Sequence, residues 1–206
     1  GFRAQIVFGW LGVMIHECSH LLLAILFGHR IGKVSLIRIP DQHNPQDNSL
    51  GYVSHSWNEH NYYQRAGNLF IGIAPVIGCS LTMAIATRYL ATPVYDAWQS
   101  LAGFGSPAAS TSSWWQCLLW LIIMVNISIG GFDLSKADLQ NAGHGLVLGI
   151  IILLLLAIVL SFTGNVDDLA YQLQRLMLPV YACLALAIVC NAVVWLFLRG
   201  RMRRLV

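Results

Sequence analysis

Residues 13–25 read VMIHECSHLLLAI, which sets two histidines and a glutamate, His16, Glu17 and His20, in a run of Val, Met, Leu and Ile. Ionisable groups are costly to place in such surroundings unless something binds or pairs them. The three form the pattern H-E-x-x-H. Residues four apart lie on one face of a helix, so both imidazoles can reach one ion. Neutral imidazole suits Zn²⁺, and a glutamate between the two can take a proton from water that the ion acidifies. Seven His and two Glu in 206 residues rarely produce this pattern by chance. The bland alternative, two hydrogen-bonded core histidines, is weaker inside a membrane span, where ionisable side chains are functional-site candidates by default.

The rest of the chain supplies that span. Hydrophobic residues make up 57% and charged residues only 10%, with a mean hydropathy of +0.64; a soluble domain carries about 25% charged residues. About 20 apolar residues cross a bilayer, and five stretches qualify, about 4–28, 66–91, 113–130, 144–163 and 176–199. The expected fold class is an all-α polytopic membrane protein of about five transmembrane helices. The first stretch is not expected to be a cleaved signal, because charged and polar groups occupy its middle and no small-residue cleavage site follows. The chain starts at Gly1 rather than Met, so an upstream segment is expected. Five cysteines, an odd number scattered through apolar spans, read as packing residues rather than a disulfide framework.

Lys and Arg report orientation. With the C-terminus in the cytoplasm, as RGRMRR (199–204) indicates, nine of the twelve Lys and Arg fall on the cytoplasmic side and three, Arg3, Arg88 and Arg175, on the other. The net charge of +3 therefore reports topology, not nucleic-acid binding. The basic tail suits anionic headgroups.

After the first span the period changes. GKVSLIRI (32–39) and YVSHSW (52–57) read as strands flanking the turn-rich PDQHNPQDNSLG (40–51), which predicts a β-hairpin over about 31–57. GIAPVIG (72–78) places a proline and glycines inside the second span, permitting a kink or close packing. Loop 92–112 carries no legible chemistry. Trp114 and Trp115 suit a membrane interface. The polar stretch 126–145 separates the third span from the fourth, and 164–175 reads as a loop between the fourth and fifth.

A membrane helix bearing HECSH, followed by a cytoplasmic hairpin and a helix with GIAP, resembles the site-2 protease family of intramembrane zinc proteases. The resemblance covers about residues 4–146. It implies a core of three helices within 1–146 (about 4–28, 66–91 and 113–130), with 147–206 as additional helices and a basic tail. It implies Zn²⁺ as cofactor, Glu17 as catalytic base, His16 and His20 as metal ligands, and an Asp as third ligand from beyond a partly unwound third helix. It also implies a membrane-spanning protein as substrate, the bilayer as environment, either a homo-oligomer or an accessory membrane subunit as partner, and a bacterial cell membrane as location. The family's N-x-x-P-x-P-x-L-D-G string is replaced here by NISIGGFDLSKADLQNAG, without prolines. Asn126 matches the Asn of that string, which implies contact with a substrate backbone; otherwise it bonds a neighbouring helix.

Two residues compete for the third ligand. Asp133 lies seven residues after Asn126, close to the family spacing of eight. Asp138 lies twelve after it but has better local chemistry. Gly130 and Gly131 can end the third helix, Ser135 can cap a new one, and Asp138 then takes the third helical position of a capping box. A carboxylate held in a first turn is rigid, as a ligand must be, so Asp138 is preferred. His144 is a weaker candidate, because three protein ligands complete the usual catalytic zinc set. His43, His55 and His60 read as surface residues of the hairpin region, and Asp167 and Asp168 as a solvated loop. The expected activity is hydrolysis of peptide bonds in membrane-spanning proteins. The runner-up is an inactive relative that serves as a binding or assembly subunit, and a third possibility is a transporter or chaperone with a structural metal.

Overall fold

The computed structural model describes residues 7–38, 49–104, 110–163 and 166–202. The chain is mostly helical, with one antiparallel hairpin after the first described helix. The elements are α1 (Trp10–Leu26), β1 (Arg30–Ser35), β2 (Tyr52–Ser56), α2 (Tyr62–Gly72), α3 (Ala74–Leu90), α4 (Thr92–Leu101), α5 (Trp114–Gly130), α6 (Lys136–Thr163) and α7 (Val166–Met202).

Two helices are long and apolar enough to cross a membrane, within Lys136–Phe162 and Val166–Leu196. A third candidate is the pair α2 and α3, bent by 56° between them. Helices α1 and α5 are apolar but only 17 residues each. From Ile150 to Phe162 every residue of α6 is exposed, as on a helix that faces lipid.

Local chemistry explains most boundaries. α1 ends at Gly28, whose φ of 68° an L side chain rarely adopts. Its N–H reaches the Ile25 carbonyl and the His29 N–H the Ala24 carbonyl, which is a Schellman ending. The turn delivers the chain straight into β1, two residues earlier than the alternation alone predicts. The hairpin pairs Ile31 with His55 and Val34 with Val53, and a bulge lies between. The expected single span at 66–91 is divided at Ile73, because Pro75 has no N–H to continue the ladder.

Two expected loops differ. The stretch after Leu90 contains α4, started by Pro93 in its first turn. The expected loop at 164–175 is, from Val166 onward, the start of α7, with Asp167 and Asp168 in its first turn, where carboxylates complement the helix dipole.

The apolar core is Cys79, Met83, Met124, Ile127, Cys183 and Ala187, contributed by α3, α5 and α7. Trp120 Nε1 donates to Thr87 Oγ1 at 2.9 Å and Asn191 Nδ2 to the Ser128 carbonyl at 2.7 Å, tying these helices together in an apolar setting. All five cysteines are free. Glycines set two close approaches that matter for the site. A Cβ on Gly12 would lie 2.7 Å from Gly131 N, and one on Gly130 would overlap the Gly9 carbonyl, so the end of α5 lies against α1. A Cβ on Gly72 would lie 2.5 Å from the Asp138 carbonyl oxygen and one on Gly145 2.8 Å from that of Arg65, so α2 and α6 pack backbone to backbone.

Candidate metal centre

α1 turns His16, Glu17 and His20 inward, and each is less than 9% exposed. His16 Nε2 and His20 Nε2 are 3.1 Å apart. Asp138, on the first turn of α6, completes the group: Oδ1 is 3.2 Å from His20 Nε2 and Oδ2 is 3.9 Å from His16 Nε2. Among the described residues this is the group of three that could hold a metal ion.

The far nitrogen of each ring is held by a backbone carbonyl. His16 Nδ1 donates to Gly131 O at 3.0 Å and His20 Nδ1 to Ile71 O at 2.8 Å. Both carbonyls are available for a structural reason. Gly131 caps the end of α5, where the last carbonyls have no partner in the helix. The Ile71 carbonyl would ordinarily take the N–H four residues on, and that residue is Pro75. The sequence motif GIAP therefore does more than bend the chain: it frees the acceptor that orients His20.

This arrangement tests the donor set. A carbonyl can only accept, so each Nδ1 carries the hydrogen and each neutral ring turns an Nε2 lone pair toward the other and toward a carboxylate. Three acceptors converge with no donor among them, which is a set that could hold a cation. Tetrahedral ligands about 2.0–2.1 Å from zinc stand about 3.3 Å apart. Two of the three spacings, 3.1 and 3.2 Å, fit that figure, and the 3.9 Å spacing is the loosest. Neutral imidazoles with carbonyl-bound Nδ1–H are also the usual outer support of a zinc site.

Asp138 is placed as the capping box requires. Ser135 N donates to Asp138 Oδ2 at 2.7 Å and Asp138 N donates to Ser135 Oγ at 3.1 Å. The carboxylate thus serves the cap and the cluster at once. Asp133 lines the same cavity, is exposed and is not part of the converging group.

A cavity of about 670 Å³ opens on the cluster. Glu17 lines it together with Asp133, Asn141 and residues 49–55 of the hairpin region. The residue before β2 passes close to the glutamate: a Cβ on Gly51 would lie 2.6 Å from Glu17 Cγ and 3.0 Å from Oε1. Burial leaves Glu17 facing this cavity rather than bulk water.

Asn126 is not among the residues that line the cavity. Its Oδ1 accepts the N–H groups of Leu11 at 2.9 Å and Gly12 at 3.2 Å, two donors that α1 itself leaves unpaired at its start. His144 is exposed and meets Trp57 edge to face, 5.6 Å between centroids, away from the cluster. His60 is exposed, and His43 lies outside the described residues. His55 is half-buried and lines the metal cavity, where a surface position was expected. Its Nδ1 is 2.9 Å from Nδ1 of the buried His29, whose Nε2 donates to the Gln64 carbonyl at 2.9 Å. Burial, the larger cause, lowers the pKa of both, and His29 lowers that of His55 further. Gly51 and this histidine pair are what the residue patterns missed; the signal was the position of His55 in β2 and of Gly51 and His29 at the strand starts, which the hairpin brings back over the end of α1.

No protein-family profile, characterised protein or solved structure matches the chain.

Proposed function

We propose that the chain is an intramembrane zinc metalloprotease of the site-2 protease type, with about five membrane spans and a cytoplasmic C-terminus, in a bacterial cell membrane. The observation that carries this reading is the convergence of His16 Nε2, His20 Nε2 and Asp138 Oδ1 beside Glu17 on one cavity wall. His16, His20 and Asp138 would hold the ion. When bound, zinc supplies Lewis acidity to a scissile carbonyl and to water. Glu17 would take a proton from water in the cavity and return it to the leaving amine. Ser135, Gly131 and Ile71 hold the ligands in place through their backbone groups. Strand β2, which lines the cavity, offers backbone groups to an extended substrate segment.

The orientation gives α1 and α5 their roles. Each is 17 residues, about 26 Å at 1.5 Å per residue, and each would span with its flanking residues. The metal cluster would then lie within the bilayer depth, reached by water through the cavity beside the hairpin.

The test compares wild type with Glu17→Gln. Zinc content is measured on purified protein, and cleavage is measured on a panel of tagged single-span proteins coexpressed in the same membrane. Both proteins should carry about one zinc per chain, and only wild type should generate fragments. Equal cleavage by both would sink the catalytic assignment. Zinc in both with cleavage by neither would favour the non-catalytic assembly subunit.

A further inference from the structure

The cavity over the candidate metal centre is rich in acceptors. Glu17 and Asp133 line it with Asp138. His55 lines it too, and its hydrogen-bond chain fixes its tautomer. His29 gives its Nε2–H to the Gln64 carbonyl and accepts at Nδ1 from His55, so the neutral His55 ring keeps only an Nε2 lone pair. Ser54 Oγ already donates to the Lys33 carbonyl at 3.0 Å. Acceptors suit a cation, but a reaction that gathers negative charge on a carbonyl oxygen also calls for a donor.

Asn141 carries one. It stands three residues after Asp138 on α6, so the two side chains share a helix face, with Cβ atoms about 5–6 Å apart. Both line the cavity together with His16, Glu17 and His20. Asn141 is half-buried. Among the described residues its amide has no hydrogen-bond partner, and unlike the amide of Asn68, which is sealed inside the protein, it is open to the cavity.

The backbone around Asn141 is fixed. The capping box of Ser135 and Asp138 sets the turn before it. A Cβ on Gly72 would lie 2.6 Å from Cβ of Ala142, the next residue, so α2 packs tightly on this part of α6. A donor held on a packed helix needs little reorganisation when charge develops. Asn126 cannot take this part, because its Oδ1 is engaged by the N–H groups of Leu11 and Gly12 and it does not line the cavity.

We propose that Asn141 Nδ2 donates a hydrogen bond to the carbonyl oxygen of the peptide bond under attack, a role that rests on the protease reading above. As the water oxygen bonds to the carbonyl carbon, the C=O pair moves onto the carbonyl oxygen and Glu17 takes one water proton. The Nδ2–H bond strengthens as its acceptor becomes an anion. On collapse the pair returns, the C–N bond breaks and Glu17 gives its proton to the departing amine, leaving a carboxylic acid. Asn141 keeps both Nδ2 hydrogens throughout.

The zinc-loaded full chain in detergent is titrated with two leucine-rich probes. A peptide phosphinate is tetrahedral and anionic, like the species it mimics, with one oxygen for the metal and one for a donor. A thiol peptide offers the metal a sulfur and the wall no oxyanion. Asn141→Ala should weaken phosphinate binding about 10–100-fold, the scale of one hydrogen bond to a charged group, with thiol affinity and zinc content unchanged. Asn141→Gln, which keeps the donor, should recover part of that loss. On a cleaved single-span protein, Asn141→Ala should lower kcat about 100-fold with KM unchanged. If Asn141→Ala does not fold, the near-isosteric Asn141→Asp makes the same comparison. Equal phosphinate affinity in wild type and the folded variant would overturn the proposal, as would no phosphinate binding by wild type. Parallel loss of both probes would also overturn it, marking Asn141 as a support of the helix. Phosphinate binding that depends on residue 141, with no substrate cleaved, would remove the protease reading and keep the donor. Cleavage with phosphinate affinity indifferent to residue 141 would do the reverse.

Discussion

Ser135 gives its backbone N–H to Asp138 Oδ2 at 2.7 Å, and the other oxygen of that carboxylate stands 3.2 Å from His20 Nε2. A helix cap and a candidate metal-ligand position are thus built from one side chain. The cap fixes the carboxylate's rotation, and the rotation aims its free oxygen at the imidazole.

That geometry separates the two acidic candidates. Asp138→Ala should strip zinc from the purified protein, while Asp133→Ala should leave it in place. Ser135→Ala should have a graded effect: loss of the cap costs about 1 kcal/mol at the start of α6, and loosening the support of a ligand weakens metal affinity about 10–100-fold. Competition with a chromogenic chelator measures all three. Zinc retained by the Asp138 variant and lost by the Asp133 variant would reverse the assignment.

Pro75 supports His20 by what it lacks. Pro75→Ala supplies an N–H that competes for the Ile71 carbonyl, now held by His20 Nδ1 at 2.8 Å. The expected result is a straighter α2–α3 junction and zinc affinity weaker by about tenfold, the low end of such losses. Unchanged affinity would show that the His20–Ile71 bond does not orient the ligand.

The His29–His55 pair makes the hairpin sensitive to acid. His29 gives its Nε2–H to Gln64, so its Nδ1 accepts from His55 only while that nitrogen stays unprotonated. Both pKa values are lowered from the ordinary 6.5 by burial first. The unfolded or detached hairpin then binds more protons than the docked one as pH falls. The pair's contribution is complete above about 6.5 and is lost on acidification toward the lowered folded-state values. His20 and Asp138 act on His55 with opposite signs and do not change this direction. Amide exchange at 52–56, corrected for intrinsic rates, should show less protection at acidic than at neutral pH, with His55→Gln flattening the profile. Protection in wild type that ignores pH would refute it.

Topology rests on the nine-to-three distribution of Lys and Arg. A phosphatase reporter fused after Val206 should be inactive and a fluorescent reporter active, since only the second folds in the cytoplasm. The reverse pair of signals would invert the molecule.

Much of the site was legible because it is local. H-E-x-x-H needs only one helical turn to align two imidazoles, and the Ser135–Asp138 box needs only three residues, so both were readable from spacing. The third ligand was harder. Counting from Asn126 favoured Asp133, capping chemistry favoured Asp138, and the close glycine contacts of α2 with α6 bring Asp138 to His20. Asn126 shows the opposite case. Its motif position implied substrate contact and its setting a bond to a neighbouring helix, and its amide oxygen makes such a bond at the start of α1. Residues 92–101 and 166–175 are helical where loops were expected, because their polar residues lie on helix surfaces or in a first turn, where composition resembles a loop.

By itself the sequence determined the long apolar helices, the hairpin, the cluster's two histidines and the start of α6. Each depends on apolar run length, on apolar–polar alternation bounded by turn residues, or on contacts within a few residues. Only the tertiary structure decided which carboxylate meets the histidines, that Gly51 lies over Glu17, that His55 turns inward to His29, and that Asn141 shares a cavity with Glu17. Those relations join residues up to 122 positions apart, His16 and Asp138 among them. They depend on how closely backbones can approach at glycines and on which carbonyls a helix end or a proline leaves free.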